Sequence, residues 1–322
     1  MGPEPAIVER FRRDLDALAV PDHRLGIALS GGPDSVALLL LAAAARPGLI
    51  EAATVDHALR DESKSEAEIA GGLCRELGVP HTILTAAWTD KPTTAIQERA
   101  RAERYRLLSA WAEECGIQAI VTGHHADDQA ETLLMRLNRG SGVRGLAAMR
   151  PIATLPGSDL PLLRPLLTWR RTELEQVCAS SGVEPAADPS NGDERYERVR
   201  IRKALSEAPW LDPGALAASA GHLASADDAI EWAVDREWHA AVTHAAGKIT
   251  YAPAGSPPEI LRRIVVRAIA SLANKGPDDA FRAREVDLLL AALANGKQAT
   301  LRGVLCAGGP TWLFSQAPER RH

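Results

Sequence analysis

Residues 24–35 read RLGIALSGGPDS, and this stretch determines which fold the chain can adopt. Apolar residues lead up to Ser30 and predict a buried strand. Gly31 and Gly32 permit a sharp turn and let a ligand approach the backbone, while Pro33 suits the first turn of a helix. A strand, a glycine turn and a helix N-terminus together form a cradle for an anion, most often a phosphate.

The turn differs from two common nucleotide-binding loops. It lacks the lysine of G-x-x-x-x-G-K-[ST] and the spacing of G-x-G-x-x-G. A bare S-G-G would indicate only an ordinary tight turn, whereas S-G-G-x-D-S directly after a strand is far more specific. The sequence resembles the PP-loop of the ATP pyrophosphatase superfamily, whose members adenylate a carbonyl oxygen and release pyrophosphate.

The composition is that of an ordinary soluble globular protein. The chain has 322 residues, enough for two domains, with 46% hydrophobic and 25% charged residues. A net charge of −5 argues against indiscriminate binding of nucleic acid but permits a local basic surface. No apolar run reaches membrane length and residues 1–13 lack a signal-peptide core, so we expect a cytoplasmic protein without membrane contact. Scattered cysteines without C-x-x-C give little support to a zinc or iron–sulfur site.

Strands and helices alternate through the first half of the chain. The pattern predicts strands ending at Ser30 and over residues 50–55, 81–84 and 118–122, with helices over residues 7–18, 34–45, 63–77, 94–115 and 127–137. This alternation is typical of a doubly wound α/β fold, in which helices cover both faces of a parallel sheet. Ligands bind at the carboxyl ends of such strands, where the sequence has residues 30–35, Asp56 with His57, and residues 123–125.

The rest of the chain predicts a smaller α+β domain joined to the first by a long helix. Residues 139–145 predict a flexible glycine-rich loop, followed by a strand at 160–164, a helix at 172–181 capped by Thr168, and a charged loop at 188–203 that leads into a helix. The long helix is expected over 211–241, later helices over 258–273 and 283–294, and a hairpin from strands 298–306 and 311–314. We therefore expect a catalytic domain at residues 1–208, a helical linker at 209–245 and a C-terminal domain at 246–322.

Residues 123–132, GHHADDQAET, concentrate titratable groups at a predicted strand-to-helix junction. Asp128 and Glu131 lie three residues apart on the helix and share a face. Carboxylates beside a phosphate cradle can hold Mg²⁺ or an ammonium group, although Asp127 alone would be a helix cap and the cluster could be a solvated helix start. Adjacent histidines on an extended strand end point opposite ways, which argues against a shared metal ion.

Residues 98–105, ERARAERY, lie on the predicted helix before the fourth strand. Arg101, Arg104 and Tyr105 fall on overlapping faces of that helix. A solvated helix with Glu–Arg pairs would explain the same pattern. The position beside the fourth strand favours instead an arginine that faces a phosphate.

Together these stretches resemble one family, the bacterial tRNA(Ile)-lysidine synthetases, with an adenine nucleotide alpha hydrolase-like fold. The matching segments are residues 30–35, 55–60, 101–105, 123–132, 139–146, 164–167 and 188–191. The resemblance is continuous over the first two-thirds of the chain and weak in the last third. Ala58 stands where the family usually has glycine, and Val199 stands where it usually has asparagine.

The resemblance implies an ATP-dependent ligase that modifies the wobble cytidine in the CAU anticodon of tRNA(Ile). ATP activates the C2 carbonyl and releases pyrophosphate, and the ε-amine of free lysine then attacks C2 and expels AMP. Lysidine forms, and the tRNA changes from methionine to isoleucine specificity. The residues expected to bind ATP are Ser30, Gly31, Gly32, Pro33, Asp34, Ser35, Asp56, His57 and Gly123.

The same resemblance assigns roles to charged residues. The expected catalytic residues are Asp34, Arg101, Arg104 and Asp128, with Asp34 holding Mg²⁺ and one of the arginines facing the α-phosphate. Asp128 and Glu131 are expected to bind lysine. The residues expected to contact tRNA are Arg139, Arg144, Arg164, Arg195, Arg198 and Arg202. A solvated surface would explain any single arginine, whereas clusters beside the site favour an anticodon-stem footprint. The C-terminal domain is expected to bind tRNA. The sequence is compatible with a homodimer but does not determine the oligomeric state.

Other functions compete with this one. A tRNA thiolase of the same superfamily would need catalytic cysteines or an iron–sulfur site, which the scattered cysteines do not favour. An amidotransferase-type synthetase would need a glutaminase domain or partner, and no N-terminal nucleophile is visible. A non-catalytic nucleotide sensor or tRNA-binding scaffold would not need Asp34, Asp128 and Glu131.

Overall fold

A computed structural model describes residues 2–58, 62–88, 96–186, 195–273 and 281–318. The predictions for residues 59–61, 94–95 and 188–194 lie outside these ranges. The chain divides into two compact units, Met1–Ala224 and Ser225–His322, each with its own hydrophobic core. The division falls within the long helix that the sequence predicts.

The first unit alternates helices and strands as expected. Its strands are β1 Leu25–Ala28, β2 Ile50–Asp56, β3 His81–Thr85, β4 Ala119–Val121, β5 Ile152–Thr154 and β6 Pro161–Leu163. Its helices are α1 Pro5–Asp16, α2 Pro33–Ala45, α3 Glu62–Glu76, α4 Ile96–Cys115, α5 Ala126–Asn138, α6 Val143–Leu146, α7 Arg171–Ser180 and α8 Glu197–Ser206, followed by α9 Pro213–Ala241, which continues into the second unit.

Within the described residues, the sheet of the first unit has six strands in the order β3-β2-β1-β4-β6-β5. All neighbours are parallel except β5, which pairs antiparallel with β6 at one edge. β1 lies between β2 and β4, so the turn that follows it opens near the middle of the carboxyl edge. The predicted doubly wound parallel sheet is confirmed; the antiparallel edge strand β5 was not predicted.

Apolar side chains cover both faces of this sheet. Phe11, Leu39 and Leu174 belong to the core on the side of α1, α2 and α7, and Trp111 of α4 belongs to the core on the other side. Each large side chain buried in this way stabilises the fold by about 1.5–3 kcal/mol. A Cβ at Gly26 of β1 would lie 2.7 Å from the Trp111 ring, so the strand centre requires glycine for this packing.

The predicted flexible loop at residues 139–145 needs correction. Its end winds into the short helix α6, because the Arg136 guanidinium donates to the carbonyl oxygens of Gly145 at 2.6 Å and Ala148 at 2.9 Å. A side chain on α5 therefore fixes the backbone that follows the glycines.

The predicted cap of α7 at Thr168 also needs correction. The helix begins one residue after Arg170, whose backbone N–H donates to Glu173 at 2.7 Å. The backbone N–H of Arg171 donates to Asp127 Oδ2 at 2.9 Å. Asp127 thus satisfies the start of another helix as well as lying in the first turn of α5, a contact that local sequence does not reveal.

The second unit is the smaller α+β region that the sequence predicts. Helices α10 Pro258–Leu272 and α11 Ala283–Ala294 accompany strands β7 Val242–Ala245, β8 Lys248–Tyr251, β9 Gln298–Leu301, β10 Val304–Ala307 and β11 Trp312–Gln316. In the part of the chain that is described, these strands form one antiparallel sheet in the order β7-β8-β11-β10-β9. None of the described helices is both long enough and apolar enough to cross a membrane.

The predicted hairpin of this unit is wrong in one respect. Residues 298–306 form two strands, not one, because Arg302 and Gly303 adopt φ values of +52° and +77° and reverse the chain between them. The hairpin of β7 and β8 was not predicted. Its turn uses Ala246 and Gly247, again with positive φ.

Candidate active site

A cavity of about 550 Å³ opens where β1, β2 and β4 end. The predicted site residues that line it are Ser30, Asp34, Ser35, His57, Arg101, Arg104, Gly123, Asp128 and Arg198. Other site residues that the sequence predicts lie within the described ranges but do not line the cavity. They are Gly31, Gly32, Pro33, Asp56, Glu131, Arg139, Arg144, Arg164, Arg195 and Arg202. The fold thus brings together groups from the carboxyl ends of separate strands, as expected for this kind of sheet.

The turn after β1 is held open by its own hydrogen bonds. The backbone N–H of Ser30 donates to Ser35 Oγ at 3.1 Å, and that hydroxyl donates to the carbonyl of Gly32 at 3.0 Å. Gly31 has φ +82°, a conformation that costs a residue with a Cβ about 1–2 kcal/mol. Helix α2 begins at Pro33, and within the described ranges no side chain caps its first turn. Backbone N–H groups there remain available to an anion.

Gly123 lies directly against the start of α2. A Cβ at this position would be 2.7 Å from the carbonyl oxygen of Asp34 and 3.2 Å from the backbone nitrogen of Ser35. These are backbone atoms, which cannot move aside as a flexible side chain would. The end of β4 can approach the turn after β1 this closely because residue 123 is glycine.

His125 connects the acidic groups below the cavity. Its Nε2 lies 3.5 Å from both Asp34 Oδ1 and Asp128 Oδ2, and its Nδ1 lies 3.6 Å from Asp127 Oδ2. Burial disfavours the charged imidazole, but the contacts with Asp127 and Asp34 and the charge of Asp128 raise the pKa of His125 to about 10. A buried imidazolium therefore compensates these carboxylates. The sequence indicated a titratable cluster here without giving His125 this position.

Glu131 lies one turn further along α5 and is only 2% exposed. Arg202 of α8 donates to both carboxylate oxygens, Nε to Oε1 at 2.6 Å and Nη2 to Oε2 at 3.3 Å. Arg198 Nε lies 3.5 Å from Oε2. The hydrogen bond to Glu131 raises the pKa of Arg202. Glu131 thus holds α8 against α5, while Asp128 on the same helix faces the cavity.

Helix α4 supplies a cationic wall. Arg101 lies with its Cζ 4.9 Å from the ring centre of Tyr105, a cation–π arrangement. Arg104 Nη2 lies 3.3 Å from Nε2 of His57. Burial lowers the pKa of His57, and the charge of Arg104 lowers it further. The imidazole is therefore neutral and accepts the hydrogen bond from Arg104.

Behind this wall lie Arg164 and His124. Arg164 is only 8% exposed and donates to the carbonyl of Arg150 at 2.8 Å, so it is not a surface residue. Burial lowers the pKa of His124 to about 4, and the charge of Arg164 contributes to that shift. His124 Nδ1 lies 2.9 Å from Thr122 Oγ1. The neutral ring lines the cavity beside the arginines.

The remaining predicted tRNA contacts lie on or near the surface. Arg139, Arg144 and Arg195 are exposed. Arg139 forms an ion pair with Glu197, which places the start of α8 near the end of α5. These positions suit an electrostatic footprint better than the buried Arg164 does.

An apolar part of the cavity was not predicted from the sequence. Leu29, Ala53, Val55 and Leu108 line it beside the phosphate turn. Apolar walls with few polar groups suit a flat heterocycle. Glu66 of α3 also lines the cavity. The only sequence signal for these residues was their place at strand ends and on helix faces.

The turn after β2 carries a strained alanine. Ala58 has φ +50°, and its backbone N–H donates to Asp56 Oδ1 at 2.8 Å. Asp56 therefore shapes this turn and does not line the cavity. This left-handed conformation is one that glycine adopts more readily than alanine.

The comparisons with known proteins agree with this geometry. The PP-loop domain family matches residues 6–208. A tRNA(Ile)-lysidine synthase from Novosphingobium aromaticivorans is 46% identical over 314 residues, which are 97% of this chain and 94% of the relative. Another from Zymomonas mobilis is 41% identical over 301 residues, covering 92% of this chain and 90% of the relative.

Among solved structures, a U34-tRNA thiolase from Methanococcus maripaludis matches 67% of this chain and 77% of its own, with a TM-score of 0.56 and 18% identity. At this identity the likeness concerns the fold alone. The sequence relatives decide the family, because their identity extends over nearly the whole chain. The chain therefore belongs to the tRNA(Ile)-lysidine synthase family and carries a PP-loop domain.

Proposed function

We propose that this protein uses ATP to join lysine to C2 of the wobble cytidine of tRNA(Ile) with a CAU anticodon. The product is lysidine, which changes the tRNA from methionine to isoleucine specificity. The observation that carries the proposal is a cavity in which the glycine turn after β1, two arginines of α4 and the buried carboxylate of Asp128 meet. The relatives named tRNA(Ile)-lysidine synthase support the tRNA and the product, and the PP-loop domain supports the use of ATP.

ATP would bind with its phosphates at the turn after β1 and its adenine in the apolar part of the cavity. The free backbone N–H groups at the start of α2 suit the phosphate oxygens. Asp34 lines the cavity, and its buried Oδ1 lies 3.5 Å from His125 Nε2, so a bound Mg²⁺ would share this carboxylate with the imidazolium. That ion, held by Asp34 and by phosphate oxygens, would neutralise phosphate charge.

The first step joins the base to the nucleotide. The C2 carbonyl oxygen of the cytidine attacks the α-phosphorus, the bond from that phosphorus to the bridging oxygen breaks, and pyrophosphate leaves. Negative charge builds on the α-phosphate oxygens as this happens. Arg101 and Arg104, both lining the cavity, would stabilise that charge at a fixed position.

The second step consumes lysine. Asp128 and Glu131 would bind its cationic groups, and Asp128 faces the cavity where the adenylated base would lie. The ε-amine attacks only in its neutral form. A carboxylate therefore accepts the proton as the bond from nitrogen to C2 forms, and AMP leaves with the electron pair of the C2–oxygen bond.

The tRNA would approach over the exposed arginines. Arg139, Arg144 and Arg195 are exposed, and Arg198 reaches the cavity lining from α8. Arginine at such positions binds phosphates with two parallel hydrogen bonds. Gly140 and Gly142 would let the backbone before α6 adjust around a cytidine turned out of the anticodon stack, while Arg136 keeps α6 in place.

The test is transfer of label from lysine to RNA. The protein is incubated with ATP, Mg²⁺, labelled lysine and a tRNA(Ile) transcript with a CAU anticodon. We expect label in the RNA, with one AMP and one pyrophosphate released per lysine, and much less label in a tRNA(Met) transcript with the same anticodon. A folded protein that transfers no label to either RNA would contradict the proposal.

A further inference from the structure

Glu131, one of the two carboxylates proposed to bind lysine, already forms an ion pair with Arg202. Glu131 is 2% exposed, and both of its oxygens accept hydrogen bonds from the same guanidinium. Asp128, on the same face of α5, lines the cavity, whereas Glu131 does not. In this structure the Asp128 carboxylate therefore faces the cavity, while the Glu131 carboxylate is bound to α8.

A buried carboxylate cannot simply lose its cation. Removal of the cation would leave the buried Glu131 charge poorly compensated, which destabilises the folded protein. Exchange of one cation for another avoids that cost. An ammonium group of lysine is such a replacement, since it offers hydrogen-bond donors and the same charge.

The displaced guanidinium also needs a new partner. Helix α8 carries Arg202 together with Arg198, which lines the cavity, donates to Thr132 Oγ1 at 3.3 Å and keeps its Nε 3.5 Å from Glu131 Oε2. Arg195 lies exposed just before this helix. Arginine pairs with phosphate through the same two-donor geometry that it uses with carboxylate. A phosphate of the RNA substrate can therefore receive Arg202 when Glu131 releases it.

We infer that Arg202 competes with lysine for Glu131 in the free protein, and that bound tRNA removes this competition by drawing Arg202 onto its phosphates. This inference rests on the proposed function, because it takes lysine and tRNA as the substrates. Each charged group exchanges one partner of opposite charge for another. Lysine and tRNA therefore bind with positive coupling, and each tightens the binding of the other by the same factor.

The test measures lysine affinity by equilibrium dialysis without ATP, with and without the CAU transcript. In the wild type, tRNA should tighten lysine binding by about tenfold. Arg202→Met should tighten lysine binding by a similar factor without tRNA, and tRNA should then add little. Arg200→Met is the matched control, because Arg200 lies on the same helix but donates to the Arg195 carbonyl at 3.0 Å; its lysine affinity should equal that of the wild type.

Arg202→Lys covers the case in which Arg202→Met does not fold. It keeps a cation beside Glu131 but loses the double hydrogen bond, so lysine affinity without tRNA should lie between those of the wild type and Arg202→Met. Unchanged or weaker lysine binding in either folded variant, or no effect of tRNA on the wild type, would overturn the inference. Label transfer by the wild type separates the two proposals: with transfer intact, such a result contradicts only the competition at Glu131.

Discussion

Two neighbouring regions at the cavity, the turn after β1 and the start of α5 with its partners, hold charge by different means. The turn after β1 relies on backbone geometry, with φ +82° at Gly31 and no room for a Cβ at Gly123. The start of α5 relies on side chains that neutralise one another, such as His125 with its aspartates and Glu131 with Arg202. Substitutions at the turn should therefore affect every step that needs ATP, whereas substitutions on α5 should act on one substrate at a time.

The largest effect is expected from Gly123→Ala. The new Cβ would meet the Asp34 carbonyl oxygen at 2.7 Å and push the start of α2 away from the phosphates. Displacements of this size cost about 100-fold in rate, measured as kcat/KM for ATP in label transfer. Gly72→Ala in α3 is the control, because no described atom lies within 4 Å of the added methyl group. Equal rates for the two variants would contradict the tight approach of β4 to the turn.

A smaller and more selective effect is expected from Asp128→Asn. Loss of the charge removes a charge-assisted hydrogen bond worth about 1.5–3 kcal/mol, so KM for lysine should rise about tenfold or more, with KM for ATP nearly unchanged. Asp127→Asn is the control. Its carboxylate accepts the Arg171 backbone N–H at 2.9 Å and would act on bound lysine only through His125, whose Nδ1 lies 3.6 Å away, so that change should lower stability and raise KM for lysine far less than Asp128→Asn does. If Asp128→Asn raised KM for lysine and KM for ATP equally, the assignment of Asp128 to lysine binding would be wrong.

The stability of the folded protein should also depend on pH through His124. The pKa of His124 is lowered to about 4 by burial and by neighbouring arginines, while an unfolded histidine titrates near 6.5. Between these values the unfolded chain binds the extra proton, so stability falls as the pH drops from about 6.5 to 4. The free energy of unfolding is measured in urea, with a chelator present, at both ends of this pH range. Its decrease should be about 1 kcal/mol smaller in His124→Asn than in the wild type. Identical acid profiles would mean that His124 does not contribute.

The smallest effect is expected from Ala58→Gly, a backbone change at the rim of the site. Ala58 adopts φ +50°, which costs alanine about 1–2 kcal/mol, partly offset by the greater freedom of glycine when unfolded. The variant should be more stable by under about 1 kcal/mol, read as a small rise in Tm. Ala218→Gly, at an exposed position of α9, should instead lose about 1 kcal/mol. A fall in Tm for Ala58→Gly would show that the turn is not strained.

The sequence predicted what local pattern controls. Apolar runs that end in small residues located β1, β2 and β4, and the alternation with helices predicted the parallel sheet that gathers their carboxyl ends. Contacts between distant segments could not be predicted from local sequence. Nothing near Glu131 in the sequence indicates that Arg202 pairs with it. The split of residues 298–306 into β9 and β10 was missed because Arg302 takes a positive φ that its residue type does not favour.

The central claim is that triphosphate and lysine bind at neighbouring parts of one cavity, the first by backbone groups and the second by carboxylates. A crystal structure with a non-hydrolysable ATP analogue and lysine tests it most directly. We predict phosphate oxygens within hydrogen-bond distance of backbone N–H groups in residues 31–35, and a lysine ammonium about 3 Å from the Asp128 carboxylate. Phosphates bound away from that turn, or lysine bound away from Asp128, would contradict the account.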